Sequence, residues 1–165
     1  MALTADIVAT YRGPRRVVAR FLAQGRNEVR VLLFALIAGL MMFVAVTPYQ
    51  AREARLNPEI PLQARLYWSA FFYIMIAPIL LYLVALLIYP LVWIIRRPLS
   101  GYEVRFSLFW ALLASTPVMM LLGLTAGFIG PGIELQAVGI LWFAVFSWFL
   151  GSGLLVRMEQ ADAGP

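Results

Sequence analysis

The 165-residue chain contains no cysteine, no histidine and no lysine. Without thiols there is no disulfide framework, no thiolate nucleophile and no sulfur metal site, and without imidazole there is no histidine metal site and no Ser-His-Asp arrangement. All thirteen basic residues are arginine, against eight acidic ones, for a formal net charge of +5. Charge is absent from four long runs: residues 31–46, 66–95, 106–129 and 135–156 hold no Asp, Glu or Arg. A membrane-crossing helix needs about 20 mainly apolar residues. Lipid admits only helices or closed barrels, and barrel strands alternate apolar with polar residues where these runs do not. The expected fold is therefore all-α: a polytopic helical membrane protein with four transmembrane helices and an amino-terminal interfacial amphipathic helix. The chain divides into a basic leader (residues 1–30), a four-helix membrane domain (31–157) and a short polar tail (158–165). Thirty residues precede the first run and no A-x-A pattern follows it, so it reads as a retained span and not as a cleaved signal peptide.

The leader carries six arginines against Asp6 and Glu28. Thr4 is placed to cap a first helix, Gly13 interrupts it and Pro14 suits the first position of a second. In residues 14–24, Val17, Val18, Phe21 and Leu22 share one face at helical spacing, flanked by Arg15, Arg16 and Arg20. This helix is expected at the membrane surface, its apolar face against acyl chains or against the bundle itself. Arg12, Arg15, Arg16 and Arg20 are the candidate lipid-headgroup contacts. No dense basic face with interleaved aromatics is present, so membrane lipid is the expected partner and nucleic acid is not.

Asn27 is placed to cap the first span, Arg30 to reach the headgroups, and Pro48 with Tyr49 to mark the exit into a loop over residues 50–65. Pro78 and Pro117, near the middle of the second and third spans, should kink them. The second run either crosses as one strongly tilted, kinked span or divides at Pro90 into a span and a surface segment, the division being the expected outcome. Gly130, Pro131 and Gly132 predict a tight hairpin into the fourth span, with Glu134 at its amino end. Ten arginines fall on the side of the amino terminus and three on the other. The positive-inside rule then places both termini in the cytoplasm. Arginine to the exclusion of lysine, with abundant Ala, Leu and Gly, fits the coding bias of a GC-rich bacterium, so the expected location is a bacterial cytoplasmic (inner) membrane.

Ion and proton pathways usually need titratable groups inside the bilayer, and the runs supply only hydroxyls, Gln136 and tyrosines. Ser115 and Thr116, before Pro117, are the most suggestive, because the proline frees a carbonyl near Leu113 beside two hydroxyls. The glutamates are scattered, with no pair beside a nucleophile, so no catalytic residue, metal or cofactor is expected and the protein is not read as an enzyme. What the runs do carry is helix-packing equipment: Ala35 with Gly39, Gly123 with Gly127, and Gly151 with Gly153. These suit close approach within the bundle or at a dimer face. Trp110 is expected near an interface, and Trp142 and Trp148 deeper.

The leader segments Asp6-Ile7-Val8 and Tyr11-Arg12-Gly13-Pro14-Arg15-Arg16, the run Leu108-Phe109-Trp110-Ala111-Leu112-Leu113 and the segment Gly127-Phe128-Ile129-Gly130-Pro131-Gly132 resemble bacterial membrane proteins of the Yip-one (Ypt-interacting protein) domain family. The resemblance covers residues 6–156 and implies a multi-span protein of the cytoplasmic membrane without catalysis. Eukaryotic relatives have five spans, a longer amino-terminal region and small-GTPase partners. This chain departs on the first two counts, so the GTPase role does not carry over. The expected function is a membrane scaffold or accessory protein that binds other membrane proteins, or its own copies, together with anionic lipid. The alternative is a small transporter or channel subunit that forms a pore on oligomerising. Replacing Arg15, Arg16 and Arg20 by Gln is expected to weaken leader attachment to anionic vesicles by about 1 kcal/mol per arginine near the surface. Unchanged binding at low salt in a vesicle sedimentation assay would refute the lipid contact.

Overall fold

The computed structural model describes the backbone of residues 3–94 and 99–162, and the side chains of 3–90 and 99–156. Two short helices, α1 (Leu3–Arg12) and α2 (Pro14–Ala23), precede α3 (Glu28–Leu56). A turn leads to α4 (Leu62–Ala70), which runs through a π-helical segment (Phe71–Ile76) into α5 (Ala77–Ile94). Then come α6 (Gly101–Ala114), α7 (Thr116–Phe128) and α8 (Ile133–Asp162). Described residues contain helices and turns but no strand. Three helical stretches, Glu28–Leu56, Leu62–Pro90 and Ile133–Val156, are long and apolar enough to cross a membrane, and α6 with α7 form a pair bent by 49°. The chain is an all-α polytopic membrane protein.

Side-chain pairing shows that the bent pair traverses the bundle as one element. Arg105 of α6 reaches Glu28 at 2.6 Å near the start of α3. Further along, Gly123 of α7 lies against the Ala45 backbone and Gly127 against Pro48. Both chains advance by nearly the same number of residues, so α3 and α6–α7 run parallel over their full lengths. In α8 the order reverses, with Gly139 beside Leu122 and Gly153 beside Ser107. The helix formed by α4, the π-helical segment and α5 is also antiparallel to α3, since Gln50 Nε2 donates to Ser69 Oγ at 2.9 Å while Gly39 faces the Tyr73 carbonyl. The result is an up-down-up-down bundle. Its core is α6, on which every residue from Tyr102 to Ala114 except Arg105 is buried.

Pro117 stands at the 49° bend between α6 and α7, where a kink is expected, whereas Pro48 and Pro90 depart from the sequence expectation. Pro48 does not end α3, which continues to Leu56, so the loop expected over residues 50–65 shrinks to the turn at 57–61. A helical proline orphans the carbonyl four residues earlier. Here that carbonyl is on Val44, and it accepts from the Thr47 hydroxyl, which also donates to the Phe43 carbonyl at 3.3 Å. Thr116 does the same for Pro117 by donating to Leu113 O at 2.7 Å, and Ser115 Oγ donates to Leu112 O at 2.9 Å. Thus the two hydroxyls beside Pro117 serve the freed carbonyls of their own turn and offer no site. Pro78, buried, follows a widened turn in which the Ala77 N–H donates to Phe72 O, and this π-helical register absorbs the crowding without a sharp break. At Pro90 the expected division is absent, and α5 continues to Ile94. Hydrocarbon offers the freed carbonyl no alternative partner, so the remaining helical bonds are kept.

Other boundaries also move. Thr4 lies inside α1 and is not its cap, and α8 extends to Asp162, into the expected tail. Asn27 does cap α3, its Oδ1 accepting from Arg30 N–H at 3.0 Å. Arg96, Arg97 and Pro98 lie outside the described residues.

Close approach depends on missing side chains. A Cβ on Gly123 would overlap the Ala45 carbonyl oxygen, one on Gly39 the Tyr73 carbonyl, and one on Gly127 would lie 2.5 Å from Pro48 Cβ. At Gly153 the nearest atom would be Ser107 Cβ at 3.0 Å, whereas Gly151 faces open space. Ala35 is fully buried. Gly39, Gly123, Gly127 and Gly153 therefore join helices within the bundle, and Gly151 does not. Gly123→Ala is expected to destabilise the protein by about 1–3 kcal/mol through overpacking, while Gly151→Ala stays within about 0.5 kcal/mol. Thermal unfolding in detergent measures both, and equal melting temperatures would contradict the α3–α7 seam.

Candidate functional site

At the end of the bundle that carries the amino terminus, α1 and α2 fold back onto α6 and α8. Pro14 opens α2 directly after Gly13, and the face expected from spacing is buried: Val17, Val18, Phe21 and Leu22. Phe21 lies 4.9 Å from the Trp110 ring and 5.8 Å from Phe34 and Phe106. The apolar face of the leader thus meets the bundle and leaves none of these side chains for acyl chains. Trp110 is corrected with it: only 1% exposed, it is a core residue and not an interfacial anchor. Its indole N–H and that of Trp142 are buried without a partner among the described residues, as are Ser107 Oγ and Tyr11 OH. Tyr11 packs edge-on against Phe149 at 5.0 Å, and burial pushes its phenol above its usual value.

Two arginines lock the leader. Arg20 pairs with Asp6, a buried carboxylate, and so ties α2 to α1; the Thr10 hydroxyl donates to Asp6 O at 2.8 Å. Arg30, expected to reach the headgroups, turns inward. Its guanidinium donates to Phe21 O at 3.1 Å, Gly25 O at 3.2 Å and Gln24 Oε1 at 2.7 Å, and it lies over the rings of Phe21 and Phe106. A cation at a helix carboxyl end satisfies orphan carbonyls and opposes the dipole. The turn into α3 uses Gly25 at φ +85°, a conformation that favours glycine. Tyr102 OH accepts from Asn27 N–H at 3.2 Å, fastening this turn to α6.

Of the candidate headgroup contacts, Arg12, Arg15 and Arg16 are exposed and Arg20 is half-exposed. The structure gathers Arg12, Arg16 and Arg20 around a crevice of about 450 Å³ between α1 and α2. Arg15 and Arg16 also border a second crevice of similar volume, whose other wall is Ser147, Trp148, Gly151 and Ser152 of α8. Sequence spacing predicts the stripe of arginines but contains no signal for the α8 wall, which depends on where the leader docks.

The opposite end repeats the arginine device, unforeseen from sequence. Arg52 Nη1 donates to Ala126 O at 3.4 Å near the carboxyl end of α7, and its guanidinium fills the space where a Cβ on Gly130 would be. Gly130 has φ +96°, and with Pro131 and Gly132 it forms the hairpin into α8, whose first turn contains Glu134. Between these ends, α3, the π-helical segment, α7 and α8 border an open apolar hollow of about 460 Å³, in which the polar side-chain atoms of the lining residues are the hydroxyls of Tyr49 and Tyr73. Among the described residues no three acidic side chains converge as metal ligands would. No protein-family model, curated protein or solved structure matches the chain.

Asp6→Ala leaves the Arg20 guanidinium without its carboxylate and should release α1. Amide hydrogen exchange of residues 3–12 is expected to accelerate about tenfold or more, as for a lost charged hydrogen bond of roughly 1.5–3 kcal/mol, with α3 and α6 unchanged. Uniform acceleration across the bundle would contradict a local lock.

Proposed function

We propose that the protein is a non-catalytic integral membrane scaffold or accessory protein of the Yip-one domain type, in a bacterial cytoplasmic membrane with both termini cytoplasmic. The observation that carries this reading is the distribution of unburied apolar surface. Only 17% of the spanning window is buried in each of Leu62–Pro90 and Ile133–Val156, against 39% in Glu28–Leu56. Ile79, Leu86 and Leu87 on α5, and Ile140 and Phe143 on α8, all face outward. Two flanks of the bundle are therefore free to take partner helices or a second copy, while α3 and α6 hold it together. The basic leader adds attachment to anionic lipid.

A pore built on oligomerising is the second reading. The apolar hollow lined by Tyr49, Tyr73, Gly123 and Gly139 supports it as a route for a neutral solute. Charged solutes would find no intramembrane partner in it. Crosslinking in native membranes through residues 79, 86, 140 and 143 separates the readings. Adducts to other membrane proteins support the scaffold. Adducts only to the same chain, together with solute flux in liposomes, would replace it with the pore.

A further inference from the structure

We propose that the crevice between α2 and α8 is a fixed seat for the phosphodiester of an anionic phospholipid, with Arg16 and the Ser152 hydroxyl as donors. The proposal rests on the lipid-facing reading of the leader and gives it one address. Ser152 is 6% exposed, lines the crevice and has no hydrogen-bond partner among the described residues. A hydroxyl buried in an apolar bundle is normally satisfied by its own preceding turn, as the hydroxyls of Ser115, Thr116 and Thr125 are. Ser107 and Ser152 both depart from that pattern, and of the two it is Ser152 that borders a gap of about 450 Å³ also lined by Arg16.

The remaining walls fit the same ligand. Gly13 and Pro14 place the amino end of α2 at the crevice, and Gly13 offers no side chain to cap it, so the partial positive charge of that end faces the gap. Gly151 has no atom within 4 Å of the position its Cβ would take, which leaves a slot beside Ser152. Trp148 and Leu155, both exposed, form the outer rim on α8. An indole and a leucine beside a cationic slot suit the boundary where a headgroup passes into acyl chains. Depth agrees: Ser152 precedes Arg157, where the apolar run ends, by five residues, about 8 Å along the helix axis. Helices at the interface bury their apolar faces to a similar depth, about 5–10 Å. Arg12, on the neighbouring crevice that Arg16 also borders, raises the local positive potential.

The phosphate group itself could come from a lipid or from solution, and the depth and rim favour the lipid. Native mass spectrometry of the full-length protein in detergent tests this, with phosphatidylglycerol, phosphatidylcholine or inorganic phosphate added at equal concentration. One phosphatidylglycerol adduct per chain is expected to survive activation that strips phosphatidylcholine. Its occupancy should fall about tenfold in Arg16→Gln, the equivalent of one charge-assisted hydrogen bond, and severalfold in Ser152→Ala, with Arg65→Gln at the far end unchanged. Arg16→Lys keeps the charge without the planar fork and should retain part of the binding. Thermal unfolding of each variant checks that the fold persists. Equal retention of the two lipids, an adduct indifferent to both Arg16→Gln and Ser152→Ala, or displacement of the lipid by inorganic phosphate would overturn the seat. Any of these with salt-sensitive vesicle binding intact would leave the broader reading of the leader standing, whereas loss of vesicle binding as well would remove both.

Discussion

Everything in this bundle is arranged around enclosing α6. A helix buried on every side cannot use lipid as a neighbour on any face, and four crossing elements are too few to surround one of their own number along its whole length. On one half, α3 and α8 flank it and α5 adds a third wall. The remaining wall over Phe106 and Trp110 is supplied by Phe21 of α2. This explains why an arginine-rich leader also carries four consecutive-turn apolar residues that end up buried. The leader is a structural part of the membrane domain, and its basic face is presented outward because its apolar face is committed inward.

Hydrocarbon gives little drive for helices to associate, so contact comes from close van der Waals fit. The α3–α7 seam shows how that fit is obtained: glycines at 123 and 127 let one backbone lie against another at Ala45 and Pro48. Proline at such a seam would ordinarily interrupt a helix. Two Thr-Pro pairs, at 47–48 and 116–117, resolve the conflict by turning the threonine hydroxyl onto the carbonyl that the proline orphans. One pair leaves its helix running and the other accompanies a 49° bend. Continuity at Pro48 carries α3 to Leu56, and this extension in turn brings Arg52 over the end of α7.

The helical class and the crossing elements were legible because charge-free runs of this length have one physical solution in lipid. The amphipathic face of α2, the cap at Asn27 and the hairpin at Gly130 were legible for the same reason: each is a local pattern with a local cause. What sequence did not disclose depends on neighbours. The fate of Pro48 is decided by one hydroxyl torsion at Thr47, and the inward turn of Arg30 by where the end of α2 comes to rest. Trp110 has the spacing of an interfacial residue, yet its position on the enclosed helix makes it core. The crevice wall at Ser147 and Ser152 belongs to a span more than a hundred residues away from Arg16, and no pattern within either segment points to the other.

The exclusive use of arginine now has a structural counterpart. Arg30 satisfies four acceptors, Tyr102 OH among them, while its flat face covers two aromatic rings, a task for a planar fork and not for a compact ammonium. Arg52 serves α7, Arg20 holds Asp6 and Arg105 holds Glu28. Each of these cations is consumed in fixing one element to another. Arg12 and Arg16 make no ion pair or hydrogen bond among the described residues, and both are exposed along the creases of the leader. A cation beside hydrocarbon is stable only when water or an anion reaches it. With the leader at the headgroups, as proposed, the folding step that seals α6 also presents these two cations to the boundary of the bilayer, where phosphate is the most available anion.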